Sequence, residues 1–169
     1  MSKKDFDNKI KEFLSGDDQA FDFIYEETKK SVYYSIYTII KSPQIIEDLM
    51  QDTYLQAIKN LDKYALGTNF NAWISKIARN RAIDEYNARK KVEYVEEIYV
   101  EDEDKKGGLV DMAYEILDRE GSKHEKEVFT YRIVLDMKYR EIAEILNIPK
   151  STVYDIYAMA IKRIEKYLK

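Results

Sequence analysis

The chain has 169 residues and no cysteine, which allows one or two domains with a hydrophobic core and excludes disulfides, thiol catalysis and thiolate metal sites. It contains only five glycines and two prolines, and 36% of its residues are charged, a composition that favours a helical protein. No apolar run approaches the roughly 20 residues of a membrane span, and the N-terminus lacks the apolar core of a signal peptide, so we expect a cytoplasmic protein.

The net charge of −4 is concentrated in one stretch of the chain. Residues 91–110 contain three basic and seven acidic side chains, while the parts before and after this stretch are each neutral. Any nucleic-acid contact would therefore have to come from local basic patches, because the chain has no overall positive charge.

Two helices are predicted in residues 5–41. The first has a short apolar stripe and ends at Gly16, after which Asp17 or Asp18 can cap the next helix. Between residues 20 and 40, apolar residues and tyrosines recur at helical spacing. A base-stacking surface is one interpretation of these tyrosines, but their spacing favours a buried stripe with the hydroxyl groups at its edge.

The next helix is predicted to begin at Ser42-Pro43, a cap residue followed by proline at the first helical position. Its buried side would consist of Ile45, Ile46, Leu49, Ala57, Ile58 and Leu61. Its opposite side collects acidic and amide side chains, namely Glu47, Asp48, Gln51 and Asp52. Two interpretations remain open: acids that are favoured near a helix N-terminus, or a docking face for arginine or lysine of a partner protein.

A short loop, residues 64–69, leads to a further helix, which Thr68 or Asn69 can cap. The inward face of this helix would consist of Phe70, Ile74, Ile77, Ala78 and Ala82. At 100° per residue, a second stripe combines an aromatic ring, a cation and hydrogen-bonding groups: Trp73, Lys76, Asn80, Asp84 and Asn87. Basic residues flank it, at Arg79, Arg81, Arg89, Lys90 and Lys91. The stripe fits stacking on nucleic acid, but a lone tryptophan also fits a core and a basic cluster also fits a solvated helix end.

Residues 92–110 are predicted to be a flexible acidic linker. Apolar and tyrosine side chains lie among acids there, and the stretch ends in EDEDKKGG before the helical pattern returns. This composition suits neither a helix nor a globular core. The linker is either a soluble tether or an acidic, aromatic segment that occupies a channel meant for nucleic acid.

The C-terminal part of the chain predicts a helix-turn-helix. Ala143 is small where two helices would cross, and Asn147 occupies a turn position that requires left-handed backbone geometry. Ile148 and Val153 would fill the core, and the second helix would begin at about Lys150. A generic helical hairpin is the alternative.

An enzymatic function is not indicated. His124 is the single histidine, and without cysteine or a second histidine it is best explained as a surface or capping residue. The sequence has no glycine-rich phosphate loop and no nucleophile-base pair, and helix surface chemistry accounts for the carboxylate pairs. We therefore predict no catalytic residue, no metal site and no cofactor.

Three motifs, joined to the helix-turn-helix, resemble the sigma-70 family of bacterial transcription initiation factors, in particular the small two-domain extracytoplasmic-function (ECF) type. Residues 16–21 (GDDQAF) are similar to the opening motif GD-x-x-AF. Residues 47–57 (EDLMQDTYLQA) are similar to EDL-x-Q-[ED]-x-[FY]-L-x-A. Residues 70–80 (FNAWISKIARN), with Asp84, are similar to F-x-AWL-x-x-IARN-x-x-x-D. The resemblance implies an all-α fold of two small domains, region 2-like at residues 1–91 and region 4-like at residues 111–169.

The resemblance also implies the partners: core RNA polymerase, promoter DNA and, as a further candidate, an anti-sigma factor. Polymerase would bind the carboxylate side, at Asp48, Gln51, Asp52 and Leu55. The −10 element would be captured by the loop and the helix after it, at Leu66, Gly67, Thr68, Asn69, Trp73, Lys76, Arg79, Asn80, Arg81 and Asp84. The −35 element would meet the second helix of the helix-turn-helix, at Lys150, Ser151, Thr152, Tyr154, Asp155, Ala158 and Lys162.

Two features depart from the family pattern. Ile58 stands where relatives usually have tryptophan, which we interpret as a packing change. The second departure is in the second helix of the helix-turn-helix, the recognition helix. Its outward positions are rich in arginine and lysine in relatives but contain few basic residues here, so we expect low affinity for the −35 element. The alternatives to a sigma factor are a DNA-binding regulator that no longer programs polymerase, which the carboxylate side argues against, and a protein-interaction decoy, which the base-poor helix supports.

Overall fold

The computed structural model describes residues 2–90 and 108–169, and all regular elements in these ranges are helices. They form two compact units, Met1–Glu93 and Tyr94–Lys169. The predicted all-α fold with two helical domains is thereby confirmed. Lys91 and most of the predicted linker, residues 92–107, lie outside the described residues. Among the helices that the structure describes, none has the length and apolar character needed to cross a membrane.

Residues 2–90, the described part of the N-terminal unit, form a bundle of four helices. They are α1 (Lys3–Leu14), α2 (Gln19–Tyr37), α3 (Pro43–Lys59) and α4 (Phe70–Lys90), with a single 3₁₀ turn, Leu61–Lys63, after α3. Helix α4 packs against both α2 and α3, and α1 packs on α2. Ile74, Ala78 and Ala82 of α4 are fully buried in the shared core, and the two alanines allow close approach of the neighbouring helices.

Part of this core is polar, which the hydrophobic pattern did not predict. Thr28 and Ser35 of α2 are fully buried, and their hydroxyl groups donate to backbone carbonyls one turn earlier, at 2.7 and 2.6 Å. These bonds satisfy the hydroxyl groups within their own helix, so their burial leaves no polar group without a partner. The prediction that the tyrosines of α2 form a buried stripe is wrong for Tyr25 and Tyr33, each of which is 37% exposed.

Helix α3 begins where the sequence predicted, with Ser42 at the N-cap and Pro43 at the first helical position, although the Ser42 side chain makes no capping hydrogen bond. The prediction that Ile58 is buried is wrong, because this side chain is 39% exposed. Its neighbour Ala57 is buried, as predicted. Successive helical positions differ by about 100°, so Ala57 and Ile58 cannot both point to the centre of the core.

The described part of the C-terminal unit, residues 108–169, is built from four helices and one π-helical turn. They are α5 (Leu109–Glu120), α6 (Lys123–Phe129), the π turn Thr130–Val134, α7 (Tyr139–Leu146) and α8 (Lys150–Leu168). Helix α8 packs against α5, α6 and α7. Leu117, Phe129, Ala160 and Ile164 form a buried cluster where α5, α6 and α8 meet.

The helix-turn-helix of α7 and α8 is confirmed in its geometry. Asn147 has φ +54° and ψ +46°, the left-handed conformation that was predicted, and its N–H donates to the Ala143 carbonyl. The Ile148 N–H donates to the same carbonyl at 3.2 Å. Val153 is fully buried, and α8 begins at Lys150 as expected.

Helix α6 buries charged residues, a feature that the sequence patterns missed. The Glu125 carboxylate is almost fully buried and accepts two hydrogen bonds from Arg163 of α8, at 2.8 and 3.2 Å. Lys126 is also buried and contacts Asp118 of α5 at 2.6 Å. Removing one partner would leave an uncompensated buried charge, so these pairs hold α6 in register with its neighbours.

Candidate functional sites

One side of α3, which we call the carboxylate face, presents Asp48, Gln51, Asp52 and Leu55 to solvent. The first three are exposed, and Leu55 is 64% exposed. Spacings of three and four residues place Asp48, Asp52 and Leu55 on one side of the helix. Asp48 and Asp52 form no ion pair with other residues in the part of the chain that the structure describes. Their charges are therefore available to a positively charged partner.

The opposite side of α3 is anchored in the core by a buried hydrogen bond. The Tyr54 hydroxyl lies 2.8 Å from Thr28 Oγ1 of α2, and both residues are buried. Burial raises the pKa of Tyr54 to about 12, so its hydroxyl stays protonated at neutral pH. The bond fixes the rotation of α3 on α2 and so keeps the carboxylate face outward.

The loop between α3 and α4 has a defined internal structure. Thr68 Oγ1 donates to the Ala65 carbonyl at 2.6 Å, and the Tyr64 hydroxyl donates to the Thr68 carbonyl at 2.9 Å. Asn69 Oδ1 accepts a 2.9 Å hydrogen bond from the backbone N–H of Ala72, so Asn69 caps α4, one of the two predicted possibilities. The loop is therefore an ordered connection that leads directly into the first turn of α4.

The tip of this loop is open to solvent. Leu66, Gly67 and Thr68 are exposed, and Asn69 is half-buried because it caps α4. Gly67 has φ +84°, a left-handed conformation that glycine adopts without steric cost. A Cβ at this position would meet no atom within 4 Å, so the backbone conformation, and not lack of space, favours glycine here.

Trp73 packs against other aromatic rings and is also partly exposed. Its ring centroid lies 5.5 Å from that of Tyr64 and 5.4 Å from that of Phe70, so it is part of an aromatic cluster. Phe70 is in turn stacked on Phe6 of α1, at 5.2 Å. Trp73 is only half-buried, however, and part of its ring remains open to a ligand. Phe6 could have been identified from the sequence, because it lies one helical turn before Ile10 in the apolar stripe of α1.

The polar stripe of α4 is divided in the structure. Lys76, Asn80 and Asp84 are exposed and recur every four residues along one side of the helix. Arg79 and Arg81 are half-buried, and Arg81 Nε donates to the Gln56 side-chain oxygen of α3. The predicted contact residues thus comprise a solvated set and an arginine that links α4 to the helix carrying the carboxylate face.

Helix α8 presents its predicted contact residues to solvent, with little positive charge. Six of the seven are exposed, and Thr152 is half-buried; the exposed ones are Lys150, Ser151, Tyr154, Asp155, Ala158 and Lys162. The two lysines stand twelve positions apart, and Asp155 lies between them. Met159 adds an apolar side chain that is 55% exposed.

An aromatic cluster that the sequence analysis did not identify joins the two helices of the helix-turn-helix. Tyr139, at the start of α7, makes edge contacts with Tyr154 and Tyr157 of α8, each at a centroid distance of 5.7 Å. The Arg132 guanidinium lies 5.3 Å from the Tyr139 ring, over its face. Tyr154 therefore packs at the base of the recognition helix while its outer edge remains exposed.

His124 lies half-exposed near the start of α6, with Nδ1 3.6 Å from a carboxylate oxygen of Glu127. Within residues 2–90 and 108–169, no group of three or more histidine, cysteine, aspartate or glutamate side chains could hold a metal ion. His124 is a surface residue at a helix N-terminus, as the sequence predicted.

Comparison with protein families matches both units. The family described as Sigma-70 region 2 matches residues 24–92, and the family described as Sigma-70, region 4 matches residues 122–164. The ECF RNA polymerase sigma factor SigW of Bacillus subtilis (strain 168) is 28% identical over 162 residues, which cover 86% of this chain and 87% of SigW. The ECF RNA polymerase sigma factor SigM of the same organism is 25% identical over 159 residues, with 86% and 93% coverage.

Two solved structures with a similar fold are complexes with partner proteins. The sigma factor RpoE in complex with the anti-sigma factor NepR from Bartonella quintana has a TM-score of 0.73 at 18% identity, covering 88% of this chain and 96% of RpoE. CnrH in complex with the cytosolic domain of CnrY has a TM-score of 0.70 at 18% identity, covering 96% of each chain.

Proposed function

This chain belongs to the sigma-70 family, in its ECF type, and we propose from that premise that it binds core RNA polymerase and directs it to specific promoters. The observation that carries the proposal is the order of three surfaces along one chain. They are the carboxylate face of α3, the exposed loop and polar stripe that lead into α4, and the helix-turn-helix of the C-terminal unit. Both matched families include the segments that carry these surfaces.

The predicted linker, residues 92–110, extends two residues too far, because α5 begins at Leu109. We therefore assign residues 1–91 to the polymerase-binding and −10 domain, residues 92–108 to a tether and residues 109–169 to the −35 domain. The protein acts in the cytoplasm, where promoter DNA and polymerase are present. None of the assigned steps makes or breaks a covalent bond, so the function requires no catalytic group. Because RpoE is bound to an anti-sigma factor in its structure, an anti-sigma factor is also a candidate partner of this chain.

Polymerase docking is assigned to Asp48, Gln51, Asp52 and Leu55. In the family this surface binds the clamp-helix coiled coil of the largest polymerase subunit. Two solvated carboxylates on one side of α3 complement a basic partner, and the adjacent exposed Leu55 supplies the apolar contact that a protein interface requires. The buried bond of Tyr54 behind them keeps the face rigid.

Capture of the −10 element is assigned to the loop tip and to α4. An unstacked base is held by a pocket and by stacking on aromatic rings, so strand separation can be driven by binding alone. The loop supplies Leu66, Gly67, Thr68 and Asn69, and α4 supplies Trp73, Lys76, Arg79, Asn80, Arg81 and Asp84. Arg81 uses one of its five donors on Gln56 and contacts DNA with the remaining ones.

Recognition of the −35 element is assigned to α8 in the major groove, through Lys150, Ser151, Thr152, Tyr154, Asp155, Ala158 and Lys162. The lysines at either end of this surface contact phosphates, and Asp155 accepts a hydrogen bond from a cytosine amino group. With so few cations, the −35 contribution is weak, and the −10 element, polymerase or an activator supplies the remaining affinity.

One observation favours a second candidate function, that of a sigma-like decoy whose C-terminal unit binds a protein. The exposed surface of α8 combines Tyr154 and Met159 with little positive charge, a composition found at protein interfaces. A decoy binds its partner but initiates no transcription. The two functions therefore differ in whether an RNA transcript is made.

Run-off transcription tests the proposal. The purified chain is mixed with bacterial core RNA polymerase and a pool of promoter fragments from a genome that encodes it, and the transcripts are sequenced. Transcripts that begin downstream of one shared pair of elements support the proposed function. Binding to core polymerase without transcription from any fragment contradicts the proposed function and supports the decoy. Absence of binding to core polymerase excludes the proposed function.

A further inference from the structure

The first helix reaches the loop that precedes α4. Asp7 Oδ2 accepts a 2.7 Å hydrogen bond from the backbone N–H of Gly67, which joins residues 60 positions apart in the sequence. The preceding residue, Phe6, stacks on Phe70 at 5.2 Å and contacts Phe23 at 5.9 Å, which fixes α1 beside the base of the loop. Helix α1 lies before the segment that matches Sigma-70 region 2, which begins at residue 24.

The Asp7–Gly67 bond has a different role from the other hydrogen bonds of the loop. The bonds between Thr68 and Ala65, and between Tyr64 and Thr68, stay within the loop and set its internal shape. The Asp7 carboxylate joins the loop tip to a separate helix. It also acts on the residue whose φ of +84° gives the tip its direction. A glycine in an exposed tip has the widest choice of conformations, so an external bond restricts it most.

The Asp7 carboxylate also lies close enough to Tyr64 to affect the pKa of that residue. Burial is the main cause of the raised pKa of Tyr64, the hydrogen bond to Thr68 acts in the opposite direction, and the nearby Asp7 carboxylate raises it further. A hydrogen bond from a backbone N–H to a carboxylate is stronger than one to a neutral oxygen. The Gly67 N–H is thus committed to Asp7 and is not offered to a base or a phosphate.

We propose that Asp7 is a positioning residue for base reading by the loop, an inference that rests on the proposed function. By holding the Gly67 peptide, Asp7 sets the directions in which Leu66 and Thr68 meet the captured base. Reading then depends on these two side chains and on the neighbouring peptide groups, and the Gly67 N–H takes no part in it. The specificity of the −10 contact is determined in part by a helix outside the surfaces assigned to DNA.

The test compares Asp7→Ala and Asp7→Asn with the matched control Glu12→Gln. Asparagine keeps an acceptor oxygen but loses the charge, whereas alanine removes the bond. Glu12 lies on the same helix and pairs with Lys9 at the surface, so Glu12→Gln removes the same charge without touching the loop. Each protein, with core polymerase, transcribes a pool of duplex promoters whose −10 region is randomised, and sequencing gives the preference at each position.

We expect the wild type to select one base strongly at a −10 position and Asp7→Ala to reduce that selection on the order of tenfold. Asp7→Asn should fall between them, and Glu12→Gln should match the wild type. Binding to core polymerase should be the same for all four proteins. This measurement distinguishes a loop that is no longer positioned from a protein that has unfolded. If Asp7→Ala does not fold, Asp7→Asn decides by the same criterion.

An independent measurement follows the Gly67 amide, which is one of only five glycine amides in the chain. The Gly67 amide should exchange its hydrogen slowly in the wild type and in Glu12→Gln, and faster than in these two proteins in Asp7→Ala. An unchanged base preference in Asp7→Ala, or equal exchange in all variants, overturns the inference while leaving the proposed function intact. If the wild type transcribes no member of the pool, the proposed function fails and the positioning role falls with it.

Discussion

The N-terminal and C-terminal units both have a well-defined buried framework, but they differ in the charge of the surface residues that are assigned to contacts. In the N-terminal unit, the residues assigned to contacts are solvated charges and polar groups, and a buried hydrogen bond fixes the helix beneath them. In the C-terminal unit, the helix-turn-helix frame is complete, but the residues of α8 that are assigned to DNA include only two lysines. The frame of a motif and the charge on its surface can therefore differ independently, because buried and exposed residues are set by different requirements.

The largest expected effect concerns the carboxylate face. Replacing Asp48 and Asp52 together by lysine places two cations against a basic partner, and we expect binding to core polymerase to weaken by about a hundredfold or more. Both residues are exposed and outside the core, so the melting temperature should change little. Binding is measured by titration of labelled polymerase.

The matched control reverses two exposed acids of the same unit that lie outside α3, Glu27 and Asp62. This variant has the same net charge as the double substitution in α3. If both variants lose polymerase equally, the effect is one of total charge and the assignment of the carboxylate face is wrong.

The second prediction concerns the scarcity of basic side chains on the exposed surface of α8. Replacing Asp155 and Ala158 by arginine should tighten binding to a −35 duplex by roughly tenfold or more and steepen its dependence on salt, because new phosphate or base contacts release counterions. The affinity is measured by fluorescence anisotropy at two salt concentrations. Replacing Glu144 by arginine and Glu165 by glutamine, at two exposed acids elsewhere in the unit, raises the net charge by the same amount and is the control. If affinity and transcription are unchanged in the Asp155 and Ala158 variant, the scarcity of basic residues on α8 is not the reason for weak −35 binding.

Much of the architecture follows from local sequence signals. Ser42-Pro43 marks the start of α3, Asn69 caps α4, and Asn147 occupies the left-handed turn position, because each of these signals acts through the backbone within a few residues. The same locality explains why the carboxylate face could be identified: spacing along one helix is enough to place its members together.

The features that were missed depend on partners distant in the sequence. The burial of Glu125 becomes acceptable only through Arg163, and Arg81 is half-buried because Gln56 of another helix accepts its hydrogen bond. Hydrophobic periodicity cannot identify such residues, since it treats charged side chains as exposed. The same limit applies to Asp7, whose contact with Gly67 spans 60 positions.

The third prediction tests the frame of the helix-turn-helix separately from its surface. Asn147→Ala should destabilise the protein by roughly 1–2 kcal/mol, because alanine pays the steric cost of the left-handed conformation, whereas Asn147→Gly should be close to neutral. Denaturant unfolding of the C-terminal unit, followed by tyrosine fluorescence, gives the difference. Equal stability of the alanine and glycine variants would show that the turn can relax to a right-handed conformation.

The smallest expected effect concerns the bond that anchors α3. Tyr54→Phe removes the partner of Thr28 and should cost about 1 kcal/mol at neutral pH, since the Thr28 hydroxyl keeps its bond to the Ile24 carbonyl. The control is Tyr25→Phe, which removes a partly exposed hydroxyl beside the same ring and should change stability by less than about 0.5 kcal/mol.

The pH dependence of this pair provides a sharper test of the same bond. The folded-state pKa of Tyr54 is about 12, above its ordinary value of 10.0, so the folded form holds its proton when the unfolded form has released it. The contribution of Tyr54 is therefore fully present below pH 10.0 and is lost as the pH rises towards 12. The stability difference between the wild type and Tyr54→Phe should narrow over that interval in denaturant titrations. A difference that stays constant would mean that the Tyr54 hydroxyl is not held in the core, and the rigid support proposed for the carboxylate face would have to come from apolar packing alone.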